Sequence, residues 1–232
     1  MVECELMIRL SFVVTAGGTR EPIDDVRYIG NRSTGRLGAE IARVAISRGH
    51  HVLFVHGIES VTPDGFDDRC SVERGVYRRL TFGSARDLLE ILEREIPAMP
   101  HPGAVAMAAA VADYTPVRQP GKISSAGDEL ILRLRKVEKL VDRVKTWNPE
   151  LFLVKFKLES GCSRHELVAI GKQSARQSRA DLMLLNDVSA LTTERHPAIL
   201  YWPKGGGSLV LEDKKAIARA IVRAVEEWAR KK

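Results

Sequence analysis

Residues Leu10–Ala42 read LSFVVTAGGTREPIDDVRYIGNRSTGRLGAEIA. The opening run, Leu10–Val14, is short, apolar and ends in two valines, as a buried strand requires. The far end is helical in pattern. Leu37, Ile41, Val44 and Ala45 fall on one face, Gly49 is the stop, and Ser33 and Thr34 stand where an N-cap is expected. A strand, a glycine-bearing turn and a helix make the first unit of a nucleotide-binding sheet. Yet Gly17 and Gly18 do not belong to a G-x-G-x-x-G fingerprint, and the connection is too long and too polar for a plain turn from strand to helix.

Working outward, the same alternation continues. HVLFVHG is a strand with a glycine stop, TPDGFDD is turn chemistry, and SVERGVYRRLTF alternates loosely as a strand does. Ser84 caps a helix carrying Leu88, Leu89, Ile91 and Leu92, which ends before Pro97. GAVAMAAAVAD is expected as a tightly packed central strand, although its alanines taken alone favour helix; the loop YTPVRQPGKISSAGD follows. ELILRLRKV alternates apolar against basic, as a half-exposed strand does. EKLVDRVKTW is a short helix stopped at Asn148-Pro149. LFLVKFKL is a strand, Ser163–Ser178 a helix and ADLMLLND a strand. AILYWPKGGGSLVL is a β-hairpin, and Asp213 opens a last helix reaching about Trp228. Strands alternating with helices give an α/β fold: a doubly wound, mostly parallel, Rossmann-like sheet with helices on both faces and a C-terminal β-hairpin. No repeat or linker divides the chain, so one domain over residues 1–232 is expected.

Composition bounds the function. The 232 residues are 44% hydrophobic and 28% charged, enough for a full core. No apolar run approaches a membrane span, and the acidic N-terminus lacks the features of a signal peptide. Cys4, Cys70 and Cys162 are far apart and form no CxxC pair, which suits neither a disulfide framework nor zinc and fits a reducing cytoplasm. The net charge of +6 is most simply a solvated basic surface and next a site for a phosphorylated substrate. Nucleic acid ranks below both, since no aromatic-basic stripe is present.

Ligands of such sheets bind beyond the carboxyl ends of the strands. That rule selects Gly17–Gly35, Ala109–Lys122, Phe156–Glu159 and Asn186–Asp187. Gly17 and Gly18 allow close backbone approach, and Ser33, Thr34 and Gly35 open a helix whose free N–H groups favour an anion. Arg20, Arg27, Arg32 and Arg36 surround them. Each glycine alone is accounted for by a tight turn; the constellation favours a phosphate or carboxylate site. Asp113 suits a sugar hydroxyl, a metal or, equally, a turn cap. Lys122 sits in a loop rich in Pro and Gly that suits a mobile lid, although a solvated lysine is the simpler reading of that residue alone. Asn186 and Asp187 also serve as plain turn residues. No Ser/His/Asp set and no metal-ligand cluster is visible, so the metal ligands stay unassigned.

TAGGTREPIDDVRYIGNRSTGRLG, AAAVADY, GKISS, FKLES and LLNDV occur in the order, and at roughly the spacing, found in phosphopantothenoylcysteine synthetases, which this chain resembles from about Val13 to its last helix. The resemblance implies a ligase of coenzyme A biosynthesis. In that reaction the carboxylate of 4′-phosphopantothenate attacks the α-phosphate of CTP, or ATP in some members, and L-cysteine then displaces the nucleotide from the acyl-nucleotide. It implies Mg²⁺ with the triphosphate, a homodimer, no nucleic-acid or membrane partner, and a free-standing synthetase. The flavin-dependent decarboxylase half that bacteria often fuse to it is not in this sequence, so no bound flavin is expected. Carried over residue by residue, Asn31 handles the acyl-nucleotide, Arg27 lies at the pantothenate end, and Lys122 assists acyl-nucleotide formation. Ala109, Ala110, Asp113 and Phe156 line the nucleotide site. This chain has KISS at Lys122–Ser125 where many bacterial members have KIKK, and Lys155 where many have glycine. The basic pair some members carry on the next helix has Lys172 and Arg176 as its candidates. Two rivals remain: an NAD(P)-dependent reductase, disfavoured by the missing dinucleotide fingerprint and Tyr-x-x-x-Lys pair, and a nucleotide-sensing module without catalysis.

Overall fold

The computed structural model describes residues 8–63, 77–192 and 195–232. The turn expected at TPDGFDD lies outside these residues beyond position 63, as do Cys4, Cys70 and the first part of the strand expected at SVERGVYRRLTF. Six parallel strands form the body of an eight-stranded sheet: β1 (Ser11–Ala16), β4 (His51–Gly57), β5 (Tyr77–Phe82), β6 (Gly103–Met107), β9 (Phe152–Glu159) and β10 (Leu182–Asp187). A hairpin, β11 (Ala198–Tyr201) and β12 (Ser208–Leu211), adds two antiparallel strands at one edge, giving the order β12-β11-β10-β9-β6-β1-β4-β5. The sheet is wound outward in both directions from β1, so the order reverses between β1 and β6. That is the switch point at which doubly wound folds bind ligands.

Alternation along the strands sends residues to two cores. Phe12, Val14 and Ala16 of β1 meet α1 (Arg36–Ser47) and α5 (Lys214–Ala229) on one face. Val13 faces the other way, towards α2 (Ala85–Glu95), α3 (Leu140–Trp147) and α4 (Arg164–Ser178). Both sides of the central strands are covered, which is why they read as continuous apolar runs. Ser84 closes a capping box with Asp87 and Ser163 closes one with Glu166, and Asp213 accepts the Ala216 N–H at the start of α5. Among the described residues no helix is long and apolar enough to cross a membrane.

The structure departs from the sequence reading in four places. Neither Ser33 nor Thr34 caps α1. Gly35 is the boundary residue, at φ +73°, and no side chain caps the helix. A Cβ on Gly35 would fall 2.9 Å from that of Ser60, so the tight approach of two loops replaces an ordinary cap. The expected strand GAVAMAAAVAD ends at Met107, because the alanines find partners off the sheet. The N–H groups of Ala109, Ala110 and Ala112 donate to Thr15 Oγ1, Gly17 O and Thr19 Oγ1. The stretch ELILRLRKV keeps only β8 (Leu134–Lys136), which pairs with β7 (Tyr114–Pro116) in a separate exposed ribbon instead of joining the main sheet. The long connection after β1 holds a hairpin not anticipated from sequence, β2 (Arg20–Pro22) with β3 (Tyr28–Gly30).

Candidate functional site

At the switch point the connections after β1 and β6 are tied together. Gly18 bridges Ala110, and Thr19 N–H donates to the Ala110 carbonyl at 3.2 Å. The same carbonyl accepts the Asn31 side-chain amide at 2.8 Å. This seam is one rim of a cleft of about 1040 Å³ over the carboxyl ends of β6, β9 and β10. Asn31, Ser33, Thr34, Gly35, Ala109, Ala110, Asp113, Phe156 and Asn186 all line it. Residues chosen from four separated stretches thus share one cavity.

Its walls carry an excess of cations. Arg32, Arg36, Lys139, Lys155, Lys157 and Lys214 face Asp113, Glu138 and Asp142 across it. Asp113 is paired with Lys139, and Lys155 Nζ lies 3.2 Å from Asp142 and 3.1 Å from the Ser174 carbonyl. Among the described residues Arg32, Arg36 and Lys214 have no carboxylate within ion-pair range. Burial lowers the pKa of Lys214, and Arg36 beside it adds to the shift; burial lowers that of Lys155 also. His196, half-buried near Lys214, is brought down to about 4 and is neutral at pH 7. A cavity this wide with uncompensated positive charge suits a polyanion.

Four expected groups lie outside this lining. Arg27 is committed to a turn. Its guanidinium donates to Asp24 at 2.6 Å and to the Ile123 carbonyl at 2.8 Å, and it holds the Asp24 carboxyl well below the usual range. The loop bearing Lys122 is docked on that turn, with Gly121 N–H on Asp25 and Ile123 N–H on Asp24. Lys122 itself points to solvent outside the cleft lining, so the free lid inferred from its composition is here a moored loop. Gly17, at φ +83°, is packed against Ser60 behind the seam, and Gly18 opens onto a smaller neighbouring pocket. On α4, Lys172 and Arg176 are exposed, and the cleft is lined by Ile170, Gln173, Ser174 and Gln177. Helical spacing puts those four on one face and the two cations on the next.

Sequence reading missed His196 and Lys214. Each comes from the C-terminal third, and only the sheet order brings them beside Arg36. Asn186 serves the fold as well as the lining, donating to the Pro197 carbonyl at 2.7 Å. Asp187 accepts from Ser189, Gly161 and Cys162, which lowers its pKa to about 2 and pins two loops at the cleft edge. Among the described residues no three His, Cys, Asp or Glu side chains gather to hold a metal ion by themselves. Asp113 and Glu138 both line the cavity, and each is ion-paired, Asp113 with Lys139 and Glu138 with Arg143.

The model of the DNA/pantothenate metabolism flavoprotein C-terminal domain family matches residues 7–228. The chain belongs to this family. It is 31% identical over 215 residues to the coenzyme A biosynthesis bifunctional protein CoaBC of Thermococcus kodakarensis, covering 93% of this chain and 50% of that protein. Against the CoaBC of Escherichia coli K12 identity is 30% over 224 residues, 92% of this chain and 50% of the relative. The chain therefore spans about half the length of the curated relatives it matches. The solved DNA/pantothenate metabolism flavoprotein of Streptococcus pneumoniae superposes with a TM-score of 0.83 at 27% identity, covering 95% of this chain and all of that one. A Cab2 mutant solved in complex with phosphopantothenate-cysteine shares the fold, with a TM-score of 0.77 at 21% identity over 94% of this chain and 87% of its own.

Proposed function

We propose that this chain joins 4′-phosphopantothenate to L-cysteine through an acyl-nucleotide, with CTP as the activating nucleotide. The observation that carries the reading is the single cation-rich cleft that collects Asn31–Gly35, Ala109–Asp113, Phe156 and Asn186, the family's motif stretches. The CoaBC relatives are named for coenzyme A biosynthesis, which supports the same class of reaction. A nicotinamide-dependent reductase gains nothing from the fold, since the β2–β3 hairpin occupies the place of a tight dinucleotide turn.

In the first step the substrate carboxylate forms a bond to the α-phosphorus as pyrophosphate departs. In the second the cysteine amine forms the amide as the acyl–oxygen bond breaks, CMP leaves with the electron pair, and the amine proton passes to solvent. Neither step demands a strong general base. Both demand placement and charge neutralisation. Arg36 and Lys214 supply positive charge, and Phe156 offers a ring to the base. Mg²⁺ bound with the triphosphate would offset part of its charge, and Asp113 and Glu138 are the cleft carboxylates that would hold it. Asn31, on the rim, presents an amide where the acyl group changes hands. Lys122 serves the first step only if its loop leaves the Asp24–Asp25 mooring. A second copy of the chain would cover Val117, Leu130, Ile131 and Leu134, all exposed on or beside the β7–β8 ribbon. Light scattering of the purified protein tests that dimer.

The function is tested by pyrophosphate release with 4′-phosphopantothenate and Mg-CTP, with and without cysteine. Amide product at a rate dependent on all three substrates supports it; binding without release leaves a nucleotide sensor.

A further inference from the structure

Beside the main cleft lies a second pocket, about 140 Å³, lined by Gly18, Thr19, Arg20, Tyr28, Gly30, Asn31, Ser33, Glu59 and Ser60. Asn31 and Ser33 line both cavities, so a group in one can meet a group in the other across the Asn31 amide. The small pocket is built of different chemistry. Arg20 is held by its backbone, with its N–H on the Gly83 carbonyl at 2.8 Å, and its guanidinium lies 4.5 Å from the centre of the Tyr28 ring. Only 21% of its side chain is exposed. It forms an ion pair with Glu59, whose side chain is 74% exposed at the mouth.

Size and charge together narrow the ligand. Cavities of about 150 Å³ accept molecules of roughly six heavy atoms, far too few for a nucleotide. A phosphate would be drawn to Arg20 but repelled by Glu59. A neutral ligand would leave both charges to each other. A molecule bearing one carboxylate and one ammonium close together satisfies both, by exchanging the internal ion pair for two external ones. Gly18 and Gly30 keep the walls low, and any Cβ on Gly18 would fall 2.8 Å from the Asn31 carbonyl.

We infer that this pocket is the subsite for the free α-amino acid, with Arg20 reading its carboxylate and Glu59 its ammonium. The inference rests on the ligase reading of the neighbouring cleft and says which residues seat its second substrate. The pocket meets the large cleft at Asn31 and Ser33, and the bound ammonium gives its proton to solvent before its nitrogen attacks the acyl group held there. Glu59 and Arg20 are binding residues in this scheme, and their loss is read in the cysteine term of the rate law.

The decisive variants are Glu59→Gln and Glu59→Lys, because an exposed side chain on a turn can be changed without disturbing the core. Both should raise the KM for L-cysteine by about tenfold or more, while the KM for CTP and for 4′-phosphopantothenate stays within about twofold. Arg20→Gln should narrow the preference for cysteine over cysteamine, which has the amine and the thiol but no carboxylate. Unchanged cysteine KM in both Glu59 variants overturns the subsite. If the unmodified protein releases no pyrophosphate at all, the ligase reading is what fails. Saturation-transfer NMR with L-cysteine then judges the pocket directly: signal lost in Glu59→Lys supports it, and signal absent or unaltered by the substitution refutes it.

Discussion

Asn31 donates to the Ala110 carbonyl and stands on the rim shared by two cavities. Asn31→Asp replaces that donor with a charge facing a carbonyl oxygen, and amide formation should fall by on the order of a hundredfold or more. Activation should suffer less, so the acyl-cytidylate accumulates and is detected by mass spectrometry; turnover of cysteine at the unmodified rate would remove Asn31 from the mechanism. Lys122 is solvated, so Lys122→Gln should leave the melting temperature in place while slowing pyrophosphate release. Unfolding with full activity in the folded remainder would make the lysine structural. His196 gives a pH test. Its imidazole is brought from 6.5 to about 4 by burial, with Lys214 assisting. The unfolded chain then binds a proton that the folded chain refuses, and stability falls as pH drops from about 6.5 towards 4. The drop in melting temperature between pH 7 and pH 5 should be smaller in His196→Gln than in the unmodified protein. At this scale the sequence showed which residue types were chemical, but not which way they point. Arg27, expected at the pantothenate end, is bound to Asp24, and Lys172 and Arg176, candidates for a basic pair, stand on a face of α4 that does not line the cleft.

Helix α1 packs directly against β1 at Gly38. A Cβ there would fall 2.6 Å from the Ala16 Cβ and 3.0 Å from the Thr15 carbonyl oxygen. Alanine in place of a helical glycine ordinarily stabilises by about 0.5–1 kcal/mol. The contact reverses the sign, so Gly38→Ala should cost about 1–3 kcal/mol. For a chain of this size that is a melting-temperature drop of roughly 2–12 °C. A rise on calorimetry would show that the helix moves outward freely. Elements were legible where apolar periodicity ran long: α2, α4, α5, β4, β9 and the β11–β12 hairpin fall where their patterns put them. The β2–β3 hairpin was invisible because its strands are three residues each and β3 has no buried residue, so no alternation can develop. The alanine run misled for a related reason. Nothing in AAAVAD signals that its N–H groups are taken by Thr15, Gly17 and Thr19, residues distant in sequence.

For the whole molecule, strand alternation was enough to give the doubly wound sheet, and the switch-point rule was enough to locate the cleft. Arg32 and Arg36 already marked an anion site in the sequence, and strand order adds Lys214 to the same cleft. Which base the cleft reads is set by hydrogen-bonding edges. A pocket paired to cytosine leaves buried partners unsatisfied against adenine. We expect CTP to exceed ATP by at least about tenfold in kcat/KM, or 1.4 kcal/mol. Rates should vanish with excess chelator and return with Mg²⁺. Equal or better use of ATP would overturn the nucleotide assignment while leaving the ligase intact. The central claim is met most directly by following pyrophosphate and product mass together, with 4′-phosphopantothenate, Mg-CTP and L-cysteine. The account predicts one pyrophosphate and one CMP for each phosphopantothenoylcysteine formed, with no amide when any substrate is withheld. Failure to form that amide, with the nucleotide bound and intact, would contradict it.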